Sequence, residues 1–151
     1  SLLRPNGLMK LGFYSELARR NIVRVRNLIS SADIGSTSQD IRSYRKHLLG
    51  SKNSENYGVT TNNTDFFSIS ACRDMLFHVQ EHRMNLGILD GFLKDHDLNF
   101  LGFEIDSSVI RAYKKRFPND PSSTNLDQWR IYEEENPDTF IRMYQFWIQK
   151  N

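Results

Sequence analysis

The sequence predicts an α/β domain, on three observations. Leu8–Tyr14 and Leu98–Ile105 are almost continuous apolar runs of strand length, and the first has the pattern of a strand buried on both faces of a parallel sheet. Met143–Gln149 alternates apolar and polar residues, which suits a strand with one buried face. Between these runs, apolar residues recur at helical spacing behind Ser, Thr, Asn or Asp, the side chains that cap helix starts.

Composition narrows the class. A chain of 151 residues is ordinarily one domain. Its net charge of +2 singles out neither nucleic acid nor an anionic membrane as partner. Cys72 is the single cysteine, so no internal disulfide framework exists, which fits a reducing, cytoplasmic setting. No apolar run is long enough to span a bilayer.

In chain order, Arg4-Pro5-Asn6-Gly7 reads as a turn, because Pro pre-sets φ and Asn-Gly tolerates positive φ. The strand Leu8–Tyr14 follows. Ser15 is placed to cap a helix from Glu16 to about Ile29, with Ala18, Ile22, Val25 and Ile29 on one face. A strand running straight into a capped helix is half of a βαβ unit. Thr37-Ser38-Gln39-Asp40 has capping-box spacing and opens a second helix, with Ile41, Tyr44 and Leu48 inward and Gly50 at its end. The polar stretch Ser51–Thr64 reads as a long surface loop. Ser68 or Ser70 caps a short helix to Phe77 that turns Cys72, Met75 and Leu76 inward. His78–Met84 fits helix or extended chain equally. Asn85 caps a helix with Ile88, Leu89, Phe92 and Leu93 at core spacing. After the strand Leu98–Ile105, Asp106 caps a helix that Pro118 stops. Thr124–Glu135 is helical, with Leu126 and Trp129 inward and Glu133-Glu134-Glu135 toward solvent. Trp147, like Trp129, is expected in the core.

Two places carry chemistry-bearing residues. Tyr14, Ser15, Glu16 and Arg19 stand where the first strand meets its helix, the edge at which open α/β sheets hold ligands. There Arg19 could take a carboxylate or phosphate, and Tyr14 could stack or hydrogen-bond. A cap and a solvated first turn explain the same residues without a ligand. His78-Val79-Gln80-Glu81-His82 matches the H-x-x-E-H string of a zinc-protease class, which needs both imidazoles on one helical face. The helix restart at Asn85 argues for an extended link instead, so zinc and a polar edge both stay open for His78 and His82. The arginines from Arg19 to Arg26, with Arg42, Arg45 and Lys46, read as solvated helix faces.

Several stretches also resemble class I S-adenosylmethionine-dependent methyltransferases of the kind fused to tetratricopeptide repeats in bacteria. They are Leu3–Ser15, Asp65–Ser68, Cys72–Arg83, Leu101–Glu104, Asn136–Phe140 and Met143–Trp147. The resemblance implies a partial Rossmann-like methyltransferase sheet. Leu8–Tyr14 would be the fifth strand, Leu98–Ile105 the sixth and Met143–Gln149 the seventh, antiparallel between the other two. Residues 15–64 would be a helical insertion and loop over the substrate within a single domain spanning 1–151. It implies methyl transfer by in-line displacement, a reaction that rests on positioning, with Tyr14, Arg19, His78 and His82 near the acceptor.

No G-x-G-x-x-G occurs, so the S-adenosylmethionine-binding half of that family is not expected in this chain, nor a cofactor bound to it alone. The first residue, Ser1, falls within the turn before the fifth strand, so a C-terminal portion of such an enzyme is expected, inactive by itself. Its partners would be the absent half or a second copy meeting Leu8–Tyr14 as an unpaired edge. The alternative is a non-catalytic interaction or oligomerisation module.

Overall fold

The structure, a computed structural model, describes residues 3–50, 63–77 and 81–151. It is mixed α/β, with a four-stranded mixed sheet and six α-helices among those residues. The chain divides into two compact units, Ser1–Ala18 with His82–Asn151, and Arg19–Glu81. The second interrupts the first in sequence.

The first unit holds the sheet. Its strands are β1 (Leu8–Ser15), β2 (Arg83–Met84), β3 (Leu98–Phe103) and β4 (Tyr144–Lys150), in the order β2-β1-β4-β3. The last strand runs antiparallel to both β1 and β3, so those two are parallel to each other. The β2 strand joins β1 in parallel only at Tyr14 and Ser15. Along Leu8–Phe13, β1 therefore has a strand neighbour only on the β4 side among the described residues.

The expectation that β1 is buried on both faces needs correction. Met9, Leu11 and Phe13 pack against the core, whereas Leu8, Lys10 and Gly12 are exposed. The pairing with β4 matches those inward residues to Ile148, Phe146 and Tyr144, all fully buried. Trp147 lies on the other face of β4, 39% exposed, and its indole N–H donates to Glu104 at 3.3 Å. Period-two alternation sends it there, although its size suggests the core. A bulge at Leu101 bends β3, and Gly102 takes φ 129, a conformation that only glycine adopts cheaply.

Helices α4 (Leu86–Asp95), α5 (Ser107–Arg116) and α6 (Leu126–Glu135) complete the core. Each starts where its cap residue requires. Asn85 accepts from the Ile88 amide, Asp106 from Ser108 and Asn125 from Gln128. The buried stripe of α4 is Leu86, Leu89 and Leu93, so Ile88 and Phe92 turn outward rather than inward. Tyr113 of α5 stacks on Trp129 of α6 at 3.9 Å between ring centroids, and Phe103, Phe140 and Tyr144 pack around that pair. Burying an aromatic side chain of this size stabilises by about 2–3 kcal/mol.

The segment after β1 is not yet helix. Residues 16–19 form turns, and the helix expected from Glu16 begins at Arg20 as α1 (Arg20–Ser31). Within the second unit, α1 packs its Ile22, Val25 and Ile29 with Ile41, Tyr44 and Leu48 of α2 (Ser38–Gly50). Asp33, at φ 50, reverses the chain after α1, and the Asp33 and Ile34 amides close back on the carbonyls of Ser30 and Ile29. The capping box at α2 forms as expected. Thr37 donates to Asp40 Oδ2 through both amide and hydroxyl, and the Asp40 amide donates back to Thr37 Oγ1. Ser68 caps α3 (Ile69–Cys72), which continues as a π-turn over Arg73–Phe77 and buries Cys72, Met75 and Leu76. Arg45 lies over Phe66 and Phe67, so it is part of this packing rather than of a free basic face.

Candidate functional site

The C-terminal end of β1 is the place sequence reasoning marks, and its most constrained residue there is Ser15. The strand carries Ser15 to the inner side of the first unit, where its hydroxyl accepts from the Ala18 amide at 3.0 Å. The same hydroxyl donates to Glu133 Oε1 at 2.5 Å. The phenol of Tyr144 donates to the other carboxylate oxygen at 2.6 Å. Strand β1, helix α6 and strand β4 are thereby tied at one buried carboxylate. Ser15 closes a turn rather than capping a helix.

Glu133 is 4% exposed, against the expectation that it faces solvent with its two neighbours. A signal for this exists in the sequence. Glu133 follows Leu126 by seven and Trp129 by four, so it continues their inward stripe. Burial pushes its carboxyl above the usual range, and the hydrogen bonds from Ser15 and Tyr144 hold part of that rise back. Burial, and then the bond to Glu133, push the Tyr144 phenol up. Two donors on one anion, closed off from solvent, make this a structural clamp.

Tyr14 is half-buried one position earlier, in register with Arg83 of β2. His82 is exposed and leads into β2, so the structure brings these two expected residues to the same end of the sheet. Glu16 accepts from Asn85 Nδ2 at 3.1 Å, and its amide donates to the Met84 carbonyl. His78 lies outside the described residues.

Arg19 belongs to the second unit. It is buried, and its Nε is 3.7 Å from Glu81 Oε1. Arg26 reaches the other oxygen of Glu81 at 2.8 Å and also donates to the Met75 carbonyl. Glu81, the acid of the H-x-x-E-H string, is thus held between two guanidinium groups, with its side chain 7% exposed. A carboxylate so paired has its charge already neutralised, which does not suit a zinc ligand or a general base. Among the described residues, no group of three His, Cys, Asp or Glu side chains is arranged to hold a metal ion.

Ser15 is used internally, Glu16 is tied to Asn85, and no glycine-rich turn follows the strand. Among the described residues no helix is long and apolar enough to cross a membrane. No protein-family model matches the chain, and no curated protein matches it.

Proposed function

We propose that these residues form the acceptor side of a class I S-adenosylmethionine-dependent methyltransferase, with β1, β3 and β4 as the fifth, sixth and seventh strands of a Rossmann-like sheet. One observation carries the reading: the last strand lies antiparallel between two strands that are parallel to each other. Helical connections lead between those parallel strands, and a separate compact unit stands directly after the fifth. In this reading Tyr14 and His82 border the acceptor. The methyl donor would be held by strands not among these residues, beside the open stretch of β1.

Calorimetric titration tests the proposal. S-adenosylmethionine is expected to give no saturable heat with this chain. It should bind saturably to the product of the whole reading frame that contains these residues. Failure of that longer product to bind overturns the methyltransferase reading. Saturable binding to the chain alone overturns the assignment of the donor site to other strands.

A second reading, an assembly module, is favoured by the same open stretch of β1. Among the described residues, no strand pairs with Leu8–Phe13 on the side away from β4, which offers a template for a strand from a second copy. Light scattering that finds only monomer at high concentration counts against it.

A further inference from the structure

We infer that the second unit carries a binding site for a small hydrophobic cation, an aryl- or alkylammonium, in the groove between the C-terminal end of α1 and the face of α2. The groove is open to solvent and offers about 590 Å³, within the range of small-molecule sites. Leu28, Ile34, Tyr44 and Leu48 supply apolar walls, with Tyr44 and Leu48 buried at the floor. Asp40 and His47 stand at positions two helical turns apart on α2, about 10 Å along its axis. His47 stacks on Tyr44 at 6.1 Å, extending the flat aromatic surface.

Charge selects the ligand. Among the described residues, no Lys or Arg lines the groove. The nearby Arg45 is spent over Phe66 and Phe67, and Arg73 donates to the Ser36 carbonyl. Two negative features belong to the groove itself, while Arg42 and Lys46 stand exposed elsewhere on α2. One is Asp40, whose Oδ2 serves the helix cap while Oδ1 carries none of those bonds. The other is the C-terminal end of α1, whose last turn holds no basic residue, with the Leu28, Ile29 and Ser30 carbonyls capped by the Ala32, Ile34 and Asp33 amides. An anion meets both unfavourably. A cation with a flat or branched apolar body gains from both, and from the Tyr44 face. This site stands apart from the methyltransferase reading, since every group belongs to Arg19–Glu81 and its test needs no methyl donor.

Amide chemical-shift mapping of the whole chain with 2-phenylethylammonium, 2-phenylethanol and phenylacetate tests it. The amine should shift residues 28–48 saturably, and the isosteric alcohol and the acid should bind at least about tenfold more weakly, the cost of losing a charge-assisted contact. Ala32→Phe, which fills the groove from an exposed position, should abolish the shifts with the spectrum otherwise intact. Asp40→Asn retains an acceptor for the cap and should weaken only the amine. The inference is overturned by equal binding of acid and amine, by shifts that map outside residues 28–48, or by unchanged amine affinity in both variants.

Discussion

Ser15 and Glu133 stand 118 positions apart in the chain and meet at 2.5 Å inside the first unit. Tyr144 completes the arrangement at 2.6 Å on the second carboxylate oxygen. A hydrogen bond to a buried charge contributes about 1.5–3 kcal/mol, and a stranded partner adds to the loss. Ser15→Ala and Tyr144→Phe should each lower unfolding free energy by about 2 kcal/mol in urea titrations. The double variant should deviate from the sum, because both donors serve one carboxylate. Losses below half a kilocalorie for both variants would show that the carboxylate is solvated rather than clamped, on the ~0.5 kcal/mol scale of ordinary surface changes.

Glu133 also gives stability a pH dependence of definite sign. Burial raises its folded pKa above the ordinary value of 4.5, so the folded state holds this proton more tightly than the unfolded chain does. The stability tied to that proton is fully present below about 4.5 and is lost as pH rises through the raised folded value. Compared with Glu133→Gln, the natural protein should therefore gain stability as pH falls from neutrality toward 4.5 and level off below it. Asp120 has the opposite sign, since burial raises it but its bonds from Asn125, Tyr113 and Thr124 outweigh that and lower it. Its contribution is present above the ordinary 3.8 and lost as pH falls through the lowered folded value. Both proteins share Asp120, so the difference between their denaturation curves isolates Glu133. A difference that shrinks on acidification contradicts the burial.

What could be read in advance follows the range of the interaction. The caps at Thr37, Ser68, Asn85 and Asp106 were all readable, because each involves residues within three positions. The antiparallel placement of β4 between β1 and β3 came from resemblance, not from alternation, which reports only that one face is buried. Glu133 is not legible as buried from its run of three acids, which looks solvated, while its partners lie on β1 and β4, 118 and 11 positions away. Arg19 looked available at a strand-to-helix junction. Nothing local announces Glu81 as its neighbour, since 62 positions separate the two (81 less 19). Ile88 and Phe92 fitted a core-facing stripe as well as Leu86, Leu89 and Leu93 did, and only the neighbouring layer decides between the two faces.

Ser123 should be improvable. It takes φ 58, and its hydroxyl is buried with no hydrogen-bond partner among the described residues, yet its carbonyl holds the Trp129 indole N–H at 2.9 Å. Glycine keeps that carbonyl, removes the stranded hydroxyl and relieves the left-handed strain, which costs about 1–2 kcal/mol in L-residues. Ser123→Gly gives back part of this through the flexibility of the unfolded chain. A net gain of about 1 kcal/mol is expected by urea denaturation. A loss would mean that the hydroxyl is satisfied in solution.

The first and last residues of the second unit, Arg19 and Glu81, are joined through an ion pair that Arg26 shares. Removing one member of a buried pair leaves the rest uncompensated and costs about 3–5 kcal/mol. Glu81→Ala should therefore strip hydrogen-exchange protection from α1 and the Arg73–Phe77 turn, the two segments that Arg26 connects through the Met75 carbonyl. Glu81→Gln should be milder, because the amide oxygen still accepts from Arg26. Neither effect should fade in high salt, since the Glu81 and Arg26 side chains are only 7% and 16% exposed and ions screen such pairs weakly. If protection of α1 is unchanged in Glu81→Ala, the pair is not what closes this unit, and Arg19 returns as a candidate for binding an acceptor.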